Sequence, residues 1–265
     1  MLDILRSKVD DFRASRVKSS SANRKALADI PASLYPYWKR TARFEFKGIP
    51  QDAFFFARAA DALITFFECM RHSGKACALP SKAADSVWHA WLKMAPGSLE
   101  AFQITHFGRR FPHVEWQAMP VRMDAALANC LVAARKREGI HPEGPRLPAL
   151  FAADRVLRMP GGFSYAVQRG EVVLANMDDS GRPERSVFLQ SALAPAGLLA
   201  AGLIGSSEYE RFLERKRPSD GGCGSTGSSC GSVSCSDGGG GGDSGGCDGG
   251  GSSCGGGGCG GGGGD

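Results

Sequence analysis

The sequence predicts a mainly α fold of the α+β kind: a helical bundle with a small antiparallel β-meander, followed by a disordered Gly/Ser/Cys-rich tail. Three observations lead there. Up to residue 138, apolar side chains recur at helical spacing in segments joined by short loops. After residue 150 the period changes to short β-type runs separated by turn residues. Residues 221–265 hold 24 glycines, no Lys or Arg and no aromatic residue, so nothing there can offset the entropy of ordering the chain.

The helical part starts with Leu2, Leu5, Val9 and Phe12, whose spacing predicts a helix over 2–15 with one apolar stripe. A short helix over Ala22 to Asp29 stops before Pro31. From Pro31 to Pro50 the mixture of prolines with Tyr35, Tyr37, Trp38, Phe44 and Phe46 predicts extended chain packed on the body. Asp52 is placed to cap a long helix reaching Arg71. Its side chains Phe54, Phe55, Phe56, Leu63, Ile64, Phe66, Phe67 and Met70 leave no polar face, so it is expected at the centre. Ser81 caps the next helix, which runs to Met94 and is interrupted by Pro96 and Gly97. Ser98 to Phe107 forms a short helix closed by Gly108, and Val121 to Glu138 forms another behind Pro120.

The domain plan is a helical domain over 1–138, a linker over 139–150, a small α+β appendage over 151–218, and the tail over 219–265. Gly139, Pro142, Gly144, Pro145 and Pro148 suit a connector, and His141, Glu143 and Arg146 within it suit exposure. Three strands are predicted, over 163–167, 172–175 and 186–189, with turns at Arg169-Gly170 and at 178–181. So few strands need a partner, and the apolar stretch around Leu198–Ile204 is available to cover them. A last helix opens with Ser207-Glu208-Tyr209-Glu210, read as a capping box, and ends in Arg215-Lys216-Arg217 before Pro218.

Charge divides along the same boundary. All 32 basic residues precede residue 221 with 23 of the 27 acidic ones, which leaves the body about +9 and the tail about −4. The amphipathic start has no apolar signal region, and the stretch Ala192 to Ile204 is shorter than the ~20 residues that span a bilayer. The expectations are therefore a cytoplasmic location, no membrane span, and Cys69, Cys77 and Cys130 as buried reduced thiols. The remaining cysteines form a repeat. Cys223, Cys230 and Cys235 recur 24 residues later as Cys247, Cys254 and Cys259, in the pattern C-x6-C-x4-C.

Chemistry concentrates in Pro80-Ser-Lys-Ala-Ala-Asp-Ser-Val-Trp-His-Ala-Trp-Leu92 and in Phe107-Gly-Arg-Arg-Phe-Pro-His113. Asp85 and His89 stand four apart on a helix and share a face. A carboxylate and an imidazole so placed can hold a divalent metal such as Zn, with His113 or His106 as a third ligand. A D-x-x-x-H pair is common and no C-x-x-C or H-E-x-x-H accompanies it, so the expected role is structural: Asp85 orients His89, and Trp88 and Trp91 are core aromatics or line an interaction groove. The tail thiols offer a second site for Zn or Cu(I).

These residues also carry a resemblance. The pattern P-S-x-x-x-D-x-x-W-H-x-x-L, then a G-R segment ending in histidine, then a Gly- and Cys-rich C-terminus, resembles bacterial members of the glycine-rich domain-containing family, related to plant glycine-rich domain proteins. Pro80, Ser81, Asp85, Trp88, His89, Leu92, Gly108, Arg109 and His113 match it. Relatives carry further histidines where this chain has Trp91 and Pro112. The resemblance implies a helical body and no established enzymatic activity.

Other chemistry lacks its motif. There is no G-x-S-x-G elbow, no His-paired cysteine signature and no phosphate loop around Gly161-Gly162. The basic runs 135–137 and 215–217 close predicted helices, so the helix dipole accounts for them and nucleic acid is not the expected partner. The function the sequence predicts is a non-enzymatic interaction module for a protein partner, presenting the thiol-bearing tail. The alternatives are a metal-binding protein using Asp85, His89 and His113 or the tail cysteines, and a ribosomally made precursor whose tail is modified.

Overall fold

The computed structural model describes residues 2–114 and 121–217. Among them are ten α-helices and a three-stranded antiparallel sheet, so the mainly α architecture with a small β-meander is observed. The cysteine repeat and the expected disorder after Pro218 lie outside the described residues.

The organising element is α4 (Ala53–Ser73), which packs against α1 (Leu2–Ser20), α5 (Lys82–Met94), α7 (Met123–Arg137) and α8 (Ala149–Leu157). Phe55, Phe56, Leu63, Ile64, Phe66 and Phe67 on it are all buried, each contributing roughly 1.5–3 kcal/mol of apolar transfer. As its sequence indicates, Asp52 Oδ1 accepts from the Phe55 N–H at 2.8 Å, and Gly74 ends the helix in the left-handed conformation. Cys69, Cys77 and Cys130 are free and buried, and burial pushes the Cys130 thiol well up.

Several elements differ from the sequence reading. Residues 34–45, expected to be extended, form α3 (Leu34–Glu45). Pro36 is the third residue of that helix, where its missing N–H has no intrahelical acceptor to lose, and Leu34, Trp38 and Ala42 bury one face. The apolar stripe of α1 turns outward. Ala14 meets the body while Leu5, Val9 and Phe12 are more than half exposed. The helix α2 (Arg24–Ala28) is shorter than expected, and α6 (Pro96–Phe107) starts two residues before Ser98, with Pro96 in its first turn, while α5 ends at Met94 as expected. Helix α8 lies where the connector was read to give way directly to β-structure.

The sheet follows the expected meander: β1 (Phe163–Gln168), β2 (Glu171–Met177) and β3 (Pro183–Leu189), in the order β1-β2-β3. Strand β3 is exposed along its whole length. A 3-10 turn (Ser191–Leu193) leads into α9 (Pro195–Ala200), of which Leu198 enters the core. The last helix, α10 (Ser206–Lys216), starts one residue before the expected capping serine. Glu208 Oε2 accepts from the N–H of Gly205, two residues upstream of Ser207, at 2.6 Å, so glutamate provides the side-chain half of the cap. Within 139–150, His141 and Arg146 are exposed as expected but Glu143 is buried. Its Oε1 pairs with Arg211 and Arg215 at 3.2 Å each, which fastens α10 to this segment.

Candidate metal centre

Helix α5 supports the site, and its first turn is unusually well held. Ser81 Oγ accepts from the Ala84 N–H at 3.2 Å and donates to Asp154 Oδ1 at 2.6 Å. The Asp154 carboxylate also accepts from the N–H groups of Lys82, Ala83 and Phe163. One carboxylate from α8 thus satisfies the start of α5 and the start of β1. Burial raises the Asp154 carboxyl above its ordinary range, against the pull of these four donors. The adjoining Gly162 leaves the room: a Cβ there would stand 2.7 Å from Asp154 Oδ2 and 2.9 Å from the Met159 carbonyl oxygen.

On this anchored helix Asp85 and His89 project from one face, and the chain after α6 brings His113 to them. Gly108 ends α6 with φ +73°. The buried Gln103 then brackets the main chain of Phe111, accepting from its N–H at 3.0 Å and donating to its carbonyl at 3.4 Å. The Phe111 ring stacks on Phe67 at 5.5 Å between centroids. Two residues later the His113 ring stands edge-on to Trp88 at 4.6 Å and to His89 at 4.7 Å.

The three candidate ligands converge. His89 Nε2 lies 3.2 Å from His113 Nε2, His113 Nε2 lies 3.1 Å from Asp85 Oδ1, and His89 Nε2 lies 3.6 Å from Asp85 Oδ2. All three side chains are half-buried. Zinc bonds of ~2.0–2.1 Å at tetrahedral angles place neighbouring ligand atoms about 3.3–3.4 Å apart. The two edges that meet at His113 Nε2 lie near that value, the 3.6 Å approach to His89 is made by the other oxygen of Asp85, and one ligand atom from each residue lies within 4.8 Å of the others.

The surroundings suit this use. At the end of α3, Glu45 Oε2 accepts from His89 Nδ1 at 2.8 Å, while its other oxygen is paired with Lys93. A carboxylate on Nδ1 places the proton there and leaves the Nε2 lone pair facing the cluster, the arrangement found behind metal-bound histidines. Phe46 closes the side of the His89 ring at 6.0 Å.

Asp85 and His113 also border a groove of about 470 Å³ that runs over Trp88, Phe111 and Phe163. Trp91 does not reach it. That indole is fully buried and packs 4.7 Å from Phe102. His106, the alternative third ligand, stands elsewhere, its Nε2 3.1 Å from Asp29 Oδ2. Glu45, Gln103 and Asp154 were not visible from the sequence. Glu45 falls in a segment expected to be extended, Gln103 acts across the break after α6 on Phe111, and Asp154 acts on Ser81 from 73 residues away.

Comparison with known proteins yields one family, described as UCP032817-like, which this chain resembles over residues 55–182. The matched stretch holds Asp85, His89, His113 and Asp154 but neither Glu45 nor the tail. No curated protein and no solved structure matches the chain.

Proposed function

We propose that this protein binds a divalent transition metal, zinc being the best fit, through Asp85, His89 and His113, with Glu45 holding His89 from behind. The supporting observation is the convergence of one ligand atom from each of the three side chains within 4.8 Å, with His113 Nε2 3.2 Å from His89 Nε2 and 3.1 Å from Asp85 Oδ1, both near the edge of a zinc tetrahedron. A mixed nitrogen and oxygen donor set favours zinc or a neighbouring divalent ion over Cu(I), which prefers thiolates. Three protein ligands leave one coordination position for water or another molecule, as in zinc sites that bind or activate ligands. Asp85, Trp88, His89 and His113 are four of the nine residues that carry the resemblance to glycine-rich domain proteins.

The tail thiols need to be silenced for a clean test. In full-length protein with Cys223, Cys230, Cys235, Cys247, Cys254 and Cys259 changed to serine, Co²⁺ should bind one per chain and give visible d–d absorption. His89→Ala with His113→Ala should lose that band while leaving the far-ultraviolet circular dichroism unchanged. A serine variant that takes up no Co²⁺ or Zn²⁺ would refute the site.

A second reading, that of an interaction module, draws its support from α1, whose exposed Leu5, Val9 and Phe12 form an apolar seam directed away from the body.

A further inference from the structure

We infer that the groove beside this centre receives a small monocarboxylate with an aromatic or similarly bulky apolar body, its carboxylate completing the coordination of the metal. The inference rests on the metal reading above and adds the class of ligand.

Access comes first. Of the three ligands, Asp85 and His113 border the groove, whereas His89 is held from its other ring nitrogen by Glu45 and does not line it. An exchangeable position on a metal held by these three is therefore reached from the groove side. Shape comes next. The groove, of about 470 Å³, falls in the range of small-molecule sites, roughly 300–1,000 Å³. Its walls include Phe66, Met70, Leu79, Trp88, Phe111 and Phe163, which suits an apolar body and gives little to a polar one.

Charge then selects the head group. Among the described residues, Lys75, Lys82 and Arg109 border the groove together with the carboxylate of Asp85. Two of them are fixed on the aromatic walls, Lys82 Nζ 5.0 Å from the Phe163 ring centroid and the Arg109 guanidinium carbon 5.1 Å from that of Phe111. With a divalent ion added, the mouth is strongly positive and draws an anion towards the metal. A carboxylate is an oxygen donor that such a metal accepts. An apolar body attached to a single negative charge matches both the walls and the rim.

The probe is 3-phenylpropanoate, added to the Co²⁺-loaded, full-length tail-serine protein, with acetate, 3-phenylpropan-1-ol and phenyl phosphate as comparisons. Phenylpropanoate should change the d–d spectrum with a Kd at least tenfold below that of acetate, and the alcohol should leave the spectrum unchanged. Lys82→Met should raise the phenylpropanoate Kd about tenfold, a loss readable without any enzymatic assay. Bound Co²⁺ whose spectrum responds equally to acetate and phenylpropanoate, or to neither, would overturn this inference and leave the metal centre standing. A tighter response to phenyl phosphate would replace the carboxylate with a phosphate ester. Protein that binds no Co²⁺ would remove both proposals together.

Discussion

Glu45 touches the candidate centre only through His89. It accepts from Nδ1 at 2.8 Å, and the same carboxylate is pinned by Lys93. Partners of this kind fix the tautomer and the ring orientation, and losing one typically weakens metal affinity about 10–100-fold. Glu45→Ala should therefore weaken Co²⁺ binding on that scale without abolishing it, as read by competition with a chelator. Loss no greater than twofold would mean that His89 is held by its packing on Phe46 and His113 instead. Gly162 is a different kind of residue, selected by space. Gly162→Ala puts a methyl group against the Asp154 carboxylate and the Met159 carbonyl, both backed by packed structure. The expected cost is about 1–3 kcal/mol in chemical denaturation. The amides of Lys82 and Ala83 should lose hydrogen-exchange protection at the same time, because Asp154 is their acceptor.

At the scale of elements, α10 depends on one buried acid. Burial alone would raise the Glu143 carboxyl, but its backbone donor together with Arg211 and Arg215 holds it below its ordinary value of 4.5. A carboxyl with a folded-state pKa lower than its unfolded one stabilises the fold above the ordinary value. That contribution disappears as the pH falls through the lowered one. Acid should thus loosen α10, and its amide protection should fall on going from pH 7 to below about 4. Glu143→Gln should start with the looser helix and show less change with acid. Asp154 works in the opposite sense, since its raised carboxyl favours the fold as the pH drops, so protection at the start of α5 should not follow that of α10. Helices α1 and α3 each hold something the local pattern does not show. In α1 the apolar period predicts the helix but not which way its stripe faces: Ala14, a small residue, is the one buried, and Leu5, Val9 and Phe12 turn outward. In α3 prolines and aromatics suggested extension, yet Pro36 falls in the first turn, where helices tolerate it, and Trp38 finds a buried partner in Ser86 Oγ at 3.0 Å.

Across the whole molecule, legibility followed the range of the interaction. Caps and stops at Asp52, Ser81 and Gly108 act within a turn of their own helix and were visible in the letters. The pairing of Asp85 with His89 was visible for the same reason. The strands could be read because Arg169-Gly170 and the 178–181 turn sit between runs of β-type residues. Glu143 inside an apparent connector could not, since its partners lie 68 and 72 residues away. Nor could Asp154, which holds Ser81 from 73 residues downstream. None of the described helices is long and apolar enough to cross a membrane, in keeping with the limit set by composition. By itself the sequence determined the helical class, the meander, the central place of α4 and a short list of metal-capable side chains. Each of these follows from periodicity or from chemistry within one turn. Only the tertiary structure decided that His113 joins Asp85 and His89 while His106 does not, that Glu45 stands behind them, and that Trp88 borders a groove while Trp91 is sealed. Those outcomes depend on where α3, α5 and the chain after α6 meet, and such meetings are set by the packing of the whole core, which no local pattern of residues encodes.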